Sequence, residues 1–171
     1  MHEAISQASI EKANGLFWEQ MLAMQLNPVE QNSPETTDVR CIGVEHVVGS
    51  CDLAGVWSGR IEVRLSTSLA LEATAAMLML PVDQVQVTDV LDATKEIANM
   101  IAGTLKSALP RPCTMTVPSA ALETVDFCIL PRTCDSVAVF FCHRAGELMV
   151  RVWEQAAESK SEIDDCVSVC A

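Results

Sequence analysis

Apolar residues recur at helical spacing in three stretches of the chain and alternate with polar ones in several others. The first stretch runs from about Glu3 to Leu26, where Ile10, Phe17, Met21 and Met24 form a stripe, and ends before "NPVEQNSPETT", whose Pro, Asn and Ser read as a loop. Two segments of strand character follow. "DVRCIGVEHVVG" is rich in β-branched residues. "VWSGRIEVRLS" places Trp57, Gly59, Ile61, Val63 and Leu65 on one side and Ser58, Arg60, Glu62, Arg64 and Ser66 on the other. "GSCDLAG" between them supplies turn residues, so the pair is expected to form an antiparallel hairpin. A second helix is predicted over "STSLALEATAAMLML", with Ser66 or Thr67 as its cap and Pro81 as its stop. After "PVDQVQVTD", a link with room for a short turn of its own, a long helix starts near Val87 to Asp89 and stops before "PRP".

Strands are then expected around Cys113 to Val117, Thr124 to Ile129, Ser136 to Cys142 and Glu147 to Glu154, the last two joined by a turn at "HRAG". The expected order is α-β-β-α-α-β-β-β, an α+β fold with helices packed on a largely antiparallel sheet. A single domain over residues 1–157 is expected, followed by a polar acidic tail, 158–171, expected to be mobile.

The long helix has an unusual outer face. At about 100° per residue, Val90, Leu91, Ile97, Ala98, Ile101, Ala102, Leu105, Ala108 and Leu109 fall in one apolar sector. Asp92, Glu96, Asn99, Gly103 and Lys106 fall opposite, one above another along a ridge. Solvated helix faces are usually built from good helix formers. Asn is a poorer one, and a mid-helix Gly costs roughly 1 kcal/mol relative to Ala. An acid and an amide beside a bare glycine make a docking ridge for another molecule; Glu, Asn and Lys are equally the residues of an ordinary solvated face. Pattern alone leaves both readings open.

Charge narrows the field. The chain of 171 residues is half apolar, enough for a sizeable core, and carries a net charge of -12. Such a surface repels nucleic-acid phosphates and anionic lipid, so neither is an expected partner. "MHEAISQASIEKANG" lacks the apolar segment of a secretory signal, and no stretch approaches the roughly 20 apolar residues of a membrane span; a cytoplasmic protein is expected. The eight cysteines contain no C-x-x-C pair and only three histidines accompany them, so free thiols are expected and no metal site.

The segment "DATKEIANMIAGTLKSAL" resembles the signature of the CheC/CheX phosphatases of bacterial chemotaxis: Asp or Ser, three residues, Glu, two residues, Asn, then an apolar run with a Gly. Asp92, Glu96 and Asn99 occupy those positions. "CDLAGVWSGRIEVRLSTSLALEATAAML" resembles the hairpin, G-x-x-x-G turn and following helix of the same family; the similarity covers roughly residues 40 to 110. Pro118 comes earlier after the Asn than the family's usual proline. The first helix carries a second E-x-x-N, Glu11 and Asn14, but with Gln7 where the family has Asp or Ser. Asn14 lies between Ile10 and Phe17 on the apolar stripe, which favours a buried side chain over a second site. One good site resembles the CheX branch, whose members are typically dimers.

The resemblance implies a protein phosphatase acting on the aspartyl phosphate of a CheY-like receiver. Asn99 would orient the attacking water and Glu96 would pair with the receiver's active-site lysine. Asp92 would support the site, holding Asn99 or a backbone group, and Gly103 would permit close approach. It implies no cofactor of the chain's own, Mg²⁺ coming from the receiver, and a homodimer. A reading of a different class is a non-catalytic adaptor that grips a receiver without hydrolysing anything.

Overall fold

The computed structural model describes residues 5–29, 45–124 and 136–155. Three helices, α1 (Gln7–Leu22), α2 (Thr67–Leu78) and α3 (Val87–Lys106), accompany seven strands: β1 (Asn27–Pro28), β2 (Glu45–Gly55), β3 (Gly59–Ser66), β4 (Cys113–Met115), β5 (Ser119–Thr124), β6 (Ser136–His143) and β7 (Gly146–Glu154). The strands form one sheet in the order β1-β6-β7-β3-β2-β4, with β5 also paired to β2. Every pairing is antiparallel. The register puts Val63 of β3 between Gly49 of β2 and Val150 of β7, and Val150 in turn opposite Val139 of β6. The three helices pack on one face of this sheet.

The alternation of β3 decides which face is the core. Ile61, Val63 and Leu65 are fully buried against the helices, with Val47, Cys51 and Leu53 of β2 and Leu148, Val150 and Val152 of β7 beside them. From the helix side come Ile10, Phe17 and Trp18 of α1, Leu69, Ala70 and Ala73 of α2, and Ile97, Ala98 and Ile101 of α3. Gly49 explains how closely α3 lies on β2. A Cβ there would sit 2.9 Å from the Thr94 carbonyl oxygen and 3.1 Å from Val63, so a side chain would lever the helix off the sheet.

The polar side of β3 is not a solvated face. Glu62 and Arg64 are only 9 % and 7 % exposed. Their charges meet each other, Arg64 Nε donating to Glu62 Oε1 at 2.5 Å, with Glu123 of β5 3.5 Å from Arg64 Nη1. Nearer the hairpin end, Arg60 clasps Asp52 directly across the β2–β3 pair, Nε to Oδ1 at 2.5 Å and Nη2 to Oδ2 at 2.9 Å. The hydrogen bonds from that guanidinium hold the Asp52 carboxyl below its ordinary value, against the opposing effect of burial. A carboxyl depressed in the folded state contributes stability above its unfolded pKa and loses it as pH falls through the folded one. Both side chains are more than a third exposed, so the pair contributes up to about 1 kcal/mol. Asp52→Asn should therefore cost up to about 1 kcal/mol in urea unfolding near pH 7, and the gap to wild type should shrink once pH is well below about 4.

Several sequence expectations are corrected. α1 is shorter than Glu3 to Leu26: it begins after Ser6, whose hydroxyl accepts from Ser9 N, and ends where Ala23 turns left-handed. Asn27 and Pro28, expected in a loop, pair with Cys142 and Phe141 on the sheet edge. "SCDLAG" is not the hairpin turn but the end of β2; the turn is Val56–Ser58, where Gly55 (φ 153°) lies so close to the Pro112 carbonyl that no Cβ fits. A strand precedes Thr124, over Ser119–Thr124, while the expected strand beyond it and the tail 158–171 lie outside the described residues. The Ser66 cap, the 3₁₀ turn at Val82–Gln84, the start of α3 at Val87 and the "HRAG" turn are as the sequence predicts.

Candidate functional site

α3 is held firmly at both ends. Asp89 in its first turn accepts from the Gln86 backbone N–H at 2.9 Å, and in its last turn Thr104 and Ser107 donate their hydroxyls to the carbonyls of Met100 and Thr104. Its inner face buries Val90, Ala93, Thr94, Ile97, Ala98, Ile101, Ala102 and Leu105, and Thr94 returns its hydroxyl to the Val90 carbonyl at 2.8 Å. Leu91 is only half-buried and Ala108 is exposed, so the stripe is shifted slightly toward Ala93 and Thr94, the side that meets β2 at Gly49. The outer ridge is therefore carried on a helix that cannot rotate without unpacking the core.

Along that ridge Asp92, Glu96 and Gly103 are exposed and Asn99 is half-buried. A Cβ at Gly103 would meet nothing within 4 Å. Neither Glu96 nor Asn99 has a hydrogen-bond or ion-pair partner among the described residues. Asp92 differs: its carboxylate takes Lys95 Nζ at 2.8 Å, a short (i, i+3) reach within its own turn. Among the described residues Asp92 thus holds neither Asn99 nor a backbone group, the two roles the resemblance implies for it, and Lys95 is a participant the sequence pattern does not single out. The arrangement offers one uncommitted carboxylate and one uncommitted carboxamide, one turn apart, above a bare backbone patch.

The second E-x-x-N is built quite differently. Asn14 is 1 % exposed; its Nδ2 donates to the Ile10 carbonyl at 2.9 Å and its Oδ1 accepts from Trp18 Nε1 at 3.3 Å. Glu11 accepts from Gln7 at 2.8 Å. Both ends of the Asn14 amide are turned inward.

Beside the ridge lies a small groove of about 170 Å³, lined by Phe17, Met21 and Leu22 of α1, Met77 of α2, and Glu96 and Met100 of α3. Among the described residues no group of three His, Cys, Asp or Glu is placed to hold a metal; Cys51 is buried, Cys113 half-buried and Cys142 exposed, all as free thiols, and the other five cysteines lie outside the described residues. Burial pushes the Cys51 thiol above its ordinary pKa. No helix among the described residues is long and apolar enough to cross a membrane.

Residues 47–142, more than half of the chain and including the whole of α3, match the family described as "Chemotaxis phosphatase CheX". The chain belongs to the CheX family. CheX relatives of known structure share its fold across nearly their whole length. The chemotaxis protein CheX from Desulfovibrio desulfuricans is 22 % identical, with a TM-score of 0.64 over 86 % of this chain and 97 % of that one. A CheC-like superfamily protein from Shewanella sp. PV-4, 17 % identical, reaches 0.71 over 91 % and 100 %. The Borrelia burgdorferi CheX, solved as a CheX–CheY–BeF3–Mg²⁺ complex, is 16 % identical and scores 0.62 over 87 % and 97 %. No curated protein sequence matches the chain.

Proposed function

We propose that this CheX-family protein hydrolyses the aspartyl phosphate of a CheY-like receiver, with Asn99 orienting the attacking water. The observation that supports this most directly is the pair of uncommitted groups on α3, Glu96 and Asn99, at the spacing by which the sequence resembles the family. An acyl phosphate is already activated, so what a phosphatase must add is placement of water in line with the leaving carboxylate. A carboxamide is suited to that placement, since its oxygen accepts from the water, its NH₂ donates, and it carries no charge to repel phosphoryl oxygens. Glu96 takes the receiver's active-site lysine and sets the register of α3 on its partner. Asp92, tied to Lys95, is left as a positioning residue near the mouth of the ridge, and Gly103 keeps the ridge low where the partner's backbone approaches.

The metal in this scheme is Mg²⁺ brought by the receiver, in keeping with the Borrelia complex, where Mg²⁺ accompanies CheY and BeF3. The chain is taken to act as a homodimer, by analogy with the CheX branch. Asn14 and Glu11 form no second site in this reading, because the Asn14 amide is consumed inside the helix. Asn14→Leu should accordingly cost about 1–3 kcal/mol of stability, by stranding Trp18 Nε1, while phosphate release per folded molecule stays at the wild-type value. Urea unfolding and a release assay on the same sample check both halves.

The function itself is tested by mixing the protein with a receiver phosphorylated by acetyl phosphate and following phosphate release. Acceleration over the receiver's own hydrolysis supports the proposal. Binding without acceleration would instead favour a non-catalytic adaptor.

A further inference from the structure

The groove beside Glu96 is the feature the hydrolytic scheme leaves unused. Its wall is made of Phe17, Met21, Leu22, Met77 and Met100, all neutral, contributed by three helices, and Glu96 forms its rim. Met21 is 62 % exposed, too much for a residue that serves only to fill the core. Glu96 and Met100 are one helical turn apart on the same face, so whatever pairs with Glu96 stands directly over the groove.

We infer that this groove receives an apolar side chain of the receiver, presented next to the lysine that pairs with Glu96. The inference rests on the proposed docking of a receiver on α3. Charge is what argues for this occupant. A chain of net charge -12 meets a phosphorylated, acidic pocket, and long-range repulsion works against the encounter. Beyond the single close pair at Glu96, the remaining affinity must come from contacts that do not depend on charge, and the apolar groove continuous with the ridge offers one beside Glu96. The size agrees: an apolar cavity of about 150 Å³ takes up a benzene molecule, so a groove of 170 Å³ admits one leucine- or phenylalanine-sized side chain. Three methionines in the wall let it adapt to the shape that enters, as flexible thioethers do on other protein-binding surfaces.

The test uses the full chain and a CheY-like receiver of the same organism, loaded with BeF3⁻ and Mg²⁺ for binding and with acetyl phosphate for turnover. Met21→Gln alters an exposed position and should leave thermal unfolding unchanged; Met100→Gln puts an amide deeper in the groove. Each should weaken binding of the loaded receiver about tenfold and raise KM alike with kcat kept, and Met→Leu at the same positions should restore both. Unchanged binding and KM in both Gln variants overturns the groove while leaving hydrolysis standing. Wild type that binds but releases no phosphate, with binding still lost in Met21→Gln, overturns hydrolysis and upholds the groove. A change of sedimentation coefficient in Met21→Gln with receiver binding intact means that a second copy of the chain fills the groove, and overturns the inference. A wild type that does not bind the receiver overturns both.

Discussion

Asn99→Ala should abolish most of the phosphate release, on the order of 100- to 1,000-fold, with folding and receiver binding retained. The stability half of that expectation follows from local structure. Asn99 is half-buried, has no partner among the described residues, and Ala is the better helix former, so the helix loses nothing on truncation. The activity half follows from what a carboxamide does to water. Removing it leaves the acyl phosphate in the receiver's own site, hydrolysing at the receiver's own rate, so the loss should appear in kcat rather than KM. Asn99→Asp is the sharper control: it keeps the size and the acceptor but removes the donor and adds a charge facing phosphoryl oxygens. It should fail as badly as Ala. Phosphate release from Asn99→Ala equal to wild type would remove Asn99 from the mechanism.

The local cost of carrying such groups on a helix is what makes this candidate site stand out in the chain. A carboxamide and a glycine on the outside of a helix are locally unfavourable, and nothing in the described structure repays them: the Asn99 side chain has no hydrogen-bond partner among the described residues, and a Cβ at Gly103 would meet nothing within 4 Å. Asn14 is the instructive contrast. It has the same residue type in the same E-x-x-N spacing, but its surroundings, Ile10 behind and Trp18 ahead, give its amide two partners inside the helix. Periodicity separates the two, since one Asn falls on the polar ridge and the other on the apolar stripe.

Other parts were less legible, for identifiable reasons. α2 and α3 carry their own boundaries in Ser66, Pro81 and "PRP", and β3 carries a clean period of two, so local chemistry suffices for them. "SCDLAG" reads as a turn because its residue types favour turns, yet it is strand because cross-strand partners hold it, Asp52 by Arg60 and Cys51 opposite Ile61. Glu62 and Arg64 look solvated in sequence and are buried as a pair, which only the neighbouring strand can show. The groove is the extreme case: Phe17, Met77 and Met100 are far apart in the chain, and nothing local in any of the three helices announces that they meet.

Glu96 offers the second large effect, and one whose sign discriminates between mechanisms. If charge acted only at long range, Glu96→Gln would help: it reduces the negative net charge from -12 to -11 and eases approach to an acidic phosphorylated pocket. If Glu96 meets the receiver's lysine at close range, the same change removes one partner of a desolvated pair and should weaken binding by about 1.5–3 kcal/mol, roughly 10- to 150-fold. The two effects also separate in time. Loss of repulsion appears as faster association, strongest at low salt, whereas loss of the pair appears as faster dissociation with little dependence on salt. We expect the second to dominate, because Glu96 is uncommitted and sits at the rim of an apolar groove, where a cation brought against it exchanges water for protein. Stopped-flow rates with the BeF3⁻-loaded receiver measure both terms in one experiment. Tighter binding in Glu96→Gln would place the carboxylate outside the contact and return it to the general acidity of the surface.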